Sequence, residues 1–456
     1  MANQSTRREG IVTGDTIAAA ATAAGKAAIG IIRVSGPEAV AVASNLCGRR
    51  LSPRAAEFCR FRTSEGETID AGIAIYFPAP HSFTGEDVVE LQCHGSPIVM
   101  DWLLESCFAA GARPAEAGEF SLRAFLNEKL DLTQAEAIAD LIDSGSRAQA
   151  KAASRSLAGR FADSVGQLQA DLTALRVSCE SWLDFPDEDI DHAATQALEQ
   201  QWHALRNGTQ TVLDAAVHGQ KLSAGVDIAI AGLPNAGKSS LLNRLAGAES
   251  AIVTDQPGTT RDTIRQTINL AGIALTLIDM AGLRATDDPV ETEGVRRALA
   301  EIAAADHVLW VADISAGIEA AQRDVHRLVP AGQPFTLVLN KIDVVEGEPR
   351  QFQDEVEVFA LSAKTGAGTA ELMAYMKHLA GLDTADGGGF SARRRHVEAL
   401  TQASQHIAAA GPLLNSALEL AAEELKQAQQ QLDVLTGEHT SDELLGEIFS
   451  TFCIGK

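Results

Sequence analysis

Between Val226 and Leu245 the chain reads as a strand, a glycine-bearing loop and a helix in immediate succession. Val226-Asp-Ile-Ala-Ile-Ala231 is apolar and rich in β-formers. Gly232-Leu-Pro-Asn-Ala-Gly237-Lys238-Ser239 is the loop, and apolar residues then return at helical spacing. This is a phosphate-binding loop in the strand–loop–helix setting it requires. Its glycines let backbone N–H groups curl round phosphates, and the following helix N-terminus adds positive potential. Asn235, Ala236, Gly237, Lys238, Ser239 and Ser240 are therefore placed against a nucleotide. Lys238 is spaced to reach the β- and γ-phosphates and Ser239 to ligate Mg²⁺. Residues 225 to about 380 alternate strands and helices around this loop, as a doubly wound parallel sheet does.

Three further segments follow in the same region. Asp279-Met280-Ala281-Gly282 ends the strand Leu275-Thr-Leu-Ile278, with Asp279 near the metal and Gly282 near the γ-phosphate. Asn340-Lys341-Ile342-Asp343 follows the strand Phe335-Thr-Leu-Val-Leu339. A carboxylate there accepts from guanine's N1–H and exocyclic amine, which adenine lacks, so Asp343 selects GTP. Ser362-Ala363-Lys364 completes the base pocket. Leu283 stands where Ras-like proteins carry the glutamine that orients the attacking water. Asp287, Asp288, Glu291 and Glu293 are available for that task, although a solvated acidic loop is the more usual explanation for most of them.

A length of 456 residues accommodates about three domains. A net charge of −24 is unlike a protein that grips nucleic acid chiefly by neutralising phosphates, so such a role needs a local basic patch or a basic partner. Six scattered cysteines without a Cys-x-x-Cys pair argue for the reducing cytoplasm and against a disulfide frame or zinc site. No apolar run reaches membrane-spanning length. Residues 1–118 read as α/β, with strands at Ile29–Gly36, Ile73–Phe77 and Val88–Cys93. Residues 119–219 are helical, with Leu122, Phe125, Leu168, Leu172 and Leu175 at helical spacing. Residues 220–383 are the inserted nucleotide domain, and Gly387-Gly388-Gly389 is a joint. Residues 384–456 resume the helical pattern, so the helical domain is discontinuous. Thr440 and Glu443 have capping-box spacing for a last helix that delivers the tail Cys453-Ile454-Gly455-Lys456.

These motifs resemble the MnmE (TrmE) family of tRNA-modification GTPases nearly end to end. The resemblance is carried by Gly232–Ser240, Asp255-Gln256-Pro257-Gly258-Thr259-Thr260-Arg261-Asp262, Ala124–Asp131, Phe83-Thr-Gly-Glu-Asp87, Phe185-Pro-Asp-Glu188 and the terminal Cys-Ile-Gly-Lys. It implies a Ras-like G domain that is a K⁺-dependent GTPase. Thr260 would hold Mg²⁺ with Ser239, while Asn235, Thr254, Gln256 and Thr259 would hold K⁺ in place of an arginine finger. Asp255, Pro257 and Gly258 fall in the same nucleotide-binding loop. Glu291 falls where the family keeps the carboxylate that positions water. Met280 replaces the family's usual threonine, and Pro257 stands where other members often have alanine. Neither change removes a ligand side chain.

The resemblance further implies an N-terminal domain that forms a homodimer and binds 5-formyltetrahydrofolate or a related tetrahydrofolate through Arg33, Glu90, Lys129 and Lys456. Taken alone, Arg33 and Glu90 are charges inside apolar strands, and a salt bridge explains them too. Lys129, read as lying on a helix, would by default be solvated. The implied reaction places an aminomethyl or carboxymethylaminomethyl group on C5 of the wobble uridine of certain tRNAs. It is shared with the partner MnmG, which uses FAD and NADH, in a heterotetramer or larger complex. Cys453 is a candidate nucleophile, or a buried small residue on the last turn of a helix. A ribosome-assembly switch or a protein scaffold would share the central domain without needing this tail.

Overall fold

The computed structural model describes residues 14–184, 192–224, 226–248, 265–270, 273–279, 299–300, 302–354, 356–380, 389–437, 442–452 and 454–455. Its contacts divide the chain into two compact units. The first holds residues up to 139 with 162–206 and 402–456; the second holds 140–161 with 207–401. In chain order the described helices begin with α1 Ala39–Cys47, α2 Pro97–Ala109, α3 Glu119–Leu126, α4 Leu132–Asp143 and α5 Arg147–Leu157. They continue with α6 Arg160–Asp184, α7 His192–Ala224, α8 Lys238–Ala248, α9 Ile318–Leu328 and α10 Thr369–Leu379. The last are α11 Arg394–Leu413, α12 Leu418–Thr436 and α13 Asp442–Ser450.

The first unit is built on a six-stranded sheet of order β3-β4-β5-β2-β1-β6. Its strands are β1 Ile17–Ala20, β2 Ala27–Ser35, β3 Glu57–Arg62, β4 Thr68–Phe77, β5 Val88–Gly95 and the short β6 Arg113–Pro114. Helices α1 and α2 pack on it. Alternating residues of β2 and β5, among them Ile32, Val34, Val89 and Leu91, are fully buried with Phe61 and Leu103. Each such side chain contributes about 1.5–3 kcal/mol by leaving water. Pro97 opens α2 at a position whose N–H would have no helical partner, and Gly48 ends α1 in the left-handed conformation.

Helix α3 is tied to this sheet by charge. Arg123, its side chain 4% exposed, contacts Asp15 at 2.9 Å, Glu86 at 3.1 Å and Glu119 at 2.9 Å. Arg113 shares Asp15 and Glu119, so two guanidinium groups face three carboxylates. Arg123 is the buried member, and removing Glu119 from it would approach the cost of about 3–5 kcal/mol typical of an uncompensated buried charge, whereas the partly exposed Arg113 and Asp15 are screened by solvent and contribute less.

The helical part of this unit follows the apolar repeats of the sequence. Val165, Leu168, Leu172 and Leu175 of α6 are buried, as are Leu425, Leu432 and Leu435 of α12. Gln169 donates to Asp433 at 2.8 Å between these two helices. Leu445, Ile448 and Phe449 of α13 pack against Phe125, Leu132 and Ala135. Past α13 the backbone of Ile454 bridges Ala117 in antiparallel fashion. Gly455 has φ +97°, and a Cβ there would overlap Ala20 O. Only glycine lets the tail lie this close to the end of β1.

The second unit contains a seven-stranded sheet of order β12-β13-β11-β10-β7-β9-β8. Its strands are β7 Val226–Ala231, β8 Arg265–Leu270, β9 Ile273–Asp279, β10 His307–Asp313, β11 Phe335–Asn340, β12 Arg350–Gln353 and β13 Glu357–Ala360. The five central strands are parallel, and β8 and β12 are antiparallel edges. Helices α8, α9 and α10 accompany the strands. Buried clusters lie on both faces, one with Ile228, Ile230, Val311 and Leu372, the other with Ala229, Trp310, Val325 and Leu337. Near-continuous apolar strands such as β10 follow from burial on both faces. Helix α5 belongs to this unit, as do the later part of α7 and the start of α11.

Candidate nucleotide site

The loop after β7 has the backbone that its glycines predict. Gly232 has φ +142°, and a Cβ there would overlap Val311 O. Asn235 takes the left-handed conformation at φ +65°. Gly237, at φ +93°, lies so close to the Asn340 amide that a Cβ would collide with Nδ2. Helix α8 then starts at Lys238, so Ser239 and Ser240 fall in its first turn. The Lys238 ammonium donates to Gly232 O at 3.1 Å and Leu233 O at 3.3 Å, which holds the cation over the loop.

Asn340 joins three segments that are remote in sequence. Its Nδ2 donates to Ala236 O at 2.9 Å, while its Oδ1 accepts from Ala363 N at 2.9 Å and Lys341 N at 2.8 Å. With 2% exposure, this side chain is satisfied by protein alone. Ser362 Oγ donates to Asp343 Oδ1 at 2.6 Å and accepts from Thr365 N, which orients the carboxylate. Arg244 on α8 donates from Nε to Ala363 O at 3.1 Å and from Nη2 to Lys364 O at 2.6 Å. Lys341 sits at φ +71° and reaches Asp313 at 2.7 Å. That hydrogen bond, with others from Ser315, holds the Asp313 carboxyl down at about 2.

The structure thus brings together Asn235, Ala236, Gly237, Lys238, Ser239, Ser240, Asn340, Lys341, Asp343, Ser362, Ala363 and Lys364. Asp279 ends β9, where Ile230 of β7 is its register partner. Thr254, Asp255, Gln256, Pro257, Gly258, Thr259, Thr260, Met280, Ala281, Gly282 and Glu291 lie outside the described residues. So do Leu283, Asp287, Asp288, Glu293, Phe185–Glu188, Thr440, Cys453 and Lys456. Sequence reasoning missed Arg244 and Asp313. An arginine partway along a helix has no local signature for a partner that lies 119 residues away.

On the N-terminal sheet, Arg33 of β2 and Glu90 of β5 are cross-strand partners. The guanidinium donates to Glu90 Oε1 from Nη2 at 2.9 Å and from Nε at 3.2 Å. Its carbon stands 5.1 Å from the centre of the Phe83 ring and 5.7 Å from that of Phe120. Both side chains keep about a fifth of their surface, 21% and 18%, so the pair borders solvent. Lys129 is exposed in the turn after α3 rather than on the helix. Ala19 is opposite Arg33 in the β1–β2 register, and Gly455 lies against the next residue, Ala20. Gly455 thus lies one residue along β1 from the register partner of Arg33.

A largely parallel sheet with a phosphate-binding loop after β7, and Asn-Lys-x-Asp and Ser-Ala-Lys segments after β11 and β13, defines a P-loop G domain. The chain also matches the MnmE helical domain over residues 132–453 and the N-terminal domain of the GTP-binding protein TrmE over residues 16–129. The tRNA modification GTPase MnmE of Nitrosococcus oceani is 50% identical over 97% of this chain and 97% of its own length. That of Shewanella amazonensis is 49% identical over 98% and 100%. Among solved structures, the G domain of the T. maritima FeoB iron transporter is 26% identical and covers 34% of this chain and 98% of its own, at a TM-score of 0.27. The chain belongs to the MnmE family.

Proposed function

We propose that the chain is a GTPase that acts in tRNA modification, and that its GTP hydrolysis serves a reaction at C5 of the wobble uridine. The observation that carries the guanine part is the Ser362–Asp343 hydrogen bond, held on the same framework that ties Asn340 to the phosphate loop. In this reading Asp343 accepts from guanine's N1–H and amine, and Asn340 keeps the base pocket and phosphate loop in one geometry. Lys238 exchanges its carbonyl partners for β- and γ-phosphate oxygens. Ser239, in the first turn of α8, would hold Mg²⁺ together with Thr260, and Mg²⁺ would offset charge on the phosphates. Asp279, Met280, Ala281 and Gly282 complete the phosphate side, with the loop from Thr254 to Thr260. Glu291 positions the water.

Potassium is the cation we assign to Asn235, Thr254, Gln256 and Thr259. Asn235 fits, because its left-handed backbone places an amide side chain in the phosphate loop itself. When bound, the ion supplies the positive charge that a missing arginine finger would give. Exchange of K⁺ for Na⁺ in a steady-state assay should therefore lower hydrolysis by roughly two orders of magnitude or more, with nucleotide binding retained. Equal rates in the two salts would refute the assignment.

The N-terminal sheet is the proposed site of a tetrahydrofolate, which supplies the one-carbon unit when bound. The residues present suit it. Arg33 and Glu90 offer hydrogen bonds to a pterin-like edge and Phe83 stands close by; Lys456 and Cys453 are assigned to the same site from the family resemblance. Lys129 extends the same rim. Division into residues 1–118, 119–219, 220–383 and 384–456, homodimerisation, assembly with MnmG and a cytoplasmic location belong to the same proposal. Among the described residues, no helix is long and apolar enough to cross a membrane.

A further inference from the structure

We propose that the outer face of α5 is a docking site for the phosphate backbone of tRNA. The inference rests on the reading above that tRNA is the substrate. Arg147, Lys151 and Arg155 recur every four residues along this helix, one turn or about 6 Å apart. With Ala150 and Ser154 they line an open groove of ≈ 420 Å³, and among the described residues no carboxylate lines it. The helix buries Gln149, Ala152, Ala153 and Ser156 on its other face, so the groove side is turned to solvent.

A solvated charge stripe is the competing explanation, and two observations oppose it. First, the chain has 61 acidic and 37 basic residues, yet among the described residues Arg147 and Lys151 have no ion-pair partner. Elsewhere Arg33, Arg49, Arg113, Arg123 and Arg393 all meet carboxylates. Second, Arg147 occupies the first turn of α5, where a cation opposes the helix dipole and so weakens the helix. The helix does not need it, since Ser146 accepts from Gln149 N and the Gln149 side chain accepts from Gly145 N at that end. Arg155 is anchored by donating to Gly389 O at 3.2 Å, which fixes one end of the row. A row of cations in a groove with no carboxylate among its described lining residues, on a chain of net charge −24, is complementary to a polyanion with regularly spaced charges. It also supplies the local basic patch that so acidic a chain needs for any nucleic-acid role.

The test compares the full-length chain with its Arg147→Gln/Lys151→Gln variant in binding transcribed tRNA across a salt series. Loss of two phosphate contacts should weaken binding by about tenfold or more near 0.1 M salt, and should reduce the log–log salt slope by about 1.5–2. GTP hydrolysis without tRNA should stay unchanged, which separates this effect from misfolding. The charge-keeping Arg147→Lys/Lys151→Arg variant should bind as the parent does. Equal binding and equal slopes in the parent and glutamine variants would overturn the inference, as would displacement of tRNA by polyglutamate at equal charge. Failure of the parent to bind tRNA at all would also overturn it. Whether the chain serves wobble-uridine modification would then still be decided by the modification assay.

Discussion

Asp343→Asn is expected to weaken GTP binding by roughly 10²- to 10⁴-fold. The carboxylate faces two donors of the base, and hydrogen bonds to a charged group are worth about 1.5–3 kcal/mol each. Losing both gives about 3–6 kcal/mol, which converts to that range. Asparagine preserves the local frame, because its Oδ1 still accepts from Ser362 Oγ where Asp343 now does at 2.6 Å. The amide nitrogen is then turned towards the base, where it meets guanine's donors as a like group. Xanthine carries a carbonyl where guanine has its amine, so xanthosine triphosphate should regain much of the lost affinity. Calorimetric titration with both nucleotides checks this. GTP affinity within threefold of the parent would show that Asp343 does not read the base. Loss of both nucleotides with a lowered melting temperature would show a structural defect instead.

The second large effect concerns the rate. Glu291→Ala should reduce single-turnover GTP hydrolysis by about 10²–10⁴-fold, the span that a positioned general base or water-orienting group supplies. GTP affinity should stay close to normal, because the base is read by Asp343 on the framework of Asn340, Ser362 and Arg244, while the role assigned to Glu291 is to position water. Leu283 has no polar atom in its side chain and offers no alternative means of orienting water. A loss below tenfold would transfer the task to Asp287, Asp288 or Glu293.

What was legible in the sequence was whatever a short segment specifies by itself. The phosphate loop needs its glycines in order and its Lys-Ser pair at the helix start, and strand β7, the loop and α8 appear where those residues predict. Strands Ile73–Phe77 and Val88–Cys93 were visible as apolar runs. The structure extends the first back to Thr68, because pairing with β3 holds residues whose own pattern is mixed. β3 itself, Glu57-Phe-Cys-Arg-Phe-Arg62, was hidden. Cys59 and Phe61 face the core, but Phe58 remains 67% exposed and blurs the alternation. Ion pairs over long separations were equally hidden. Arg123 meets Asp15 across 108 residues, and nothing near Arg123 in the chain announces that partner. The salt-bridge explanation for Arg33 and Glu90 describes what these side chains do in the structure, where the pair keeps an edge open to solvent. The docking of the tail depends on Gly455 meeting Ala20 O, a contact between segments at opposite ends of the chain that no local pattern encodes.

The central claim is that this G domain works for a tRNA reaction, not only as a switch. Mass spectrometry of wobble uridines tests it most directly. The comparison is between cells lacking the gene, the same cells carrying the parent gene, and those carrying Glu291→Ala. The account predicts that the C5 modification disappears on deletion, returns with the parent gene and stays low with Glu291→Ala. Unchanged wobble uridines after deletion would contradict it.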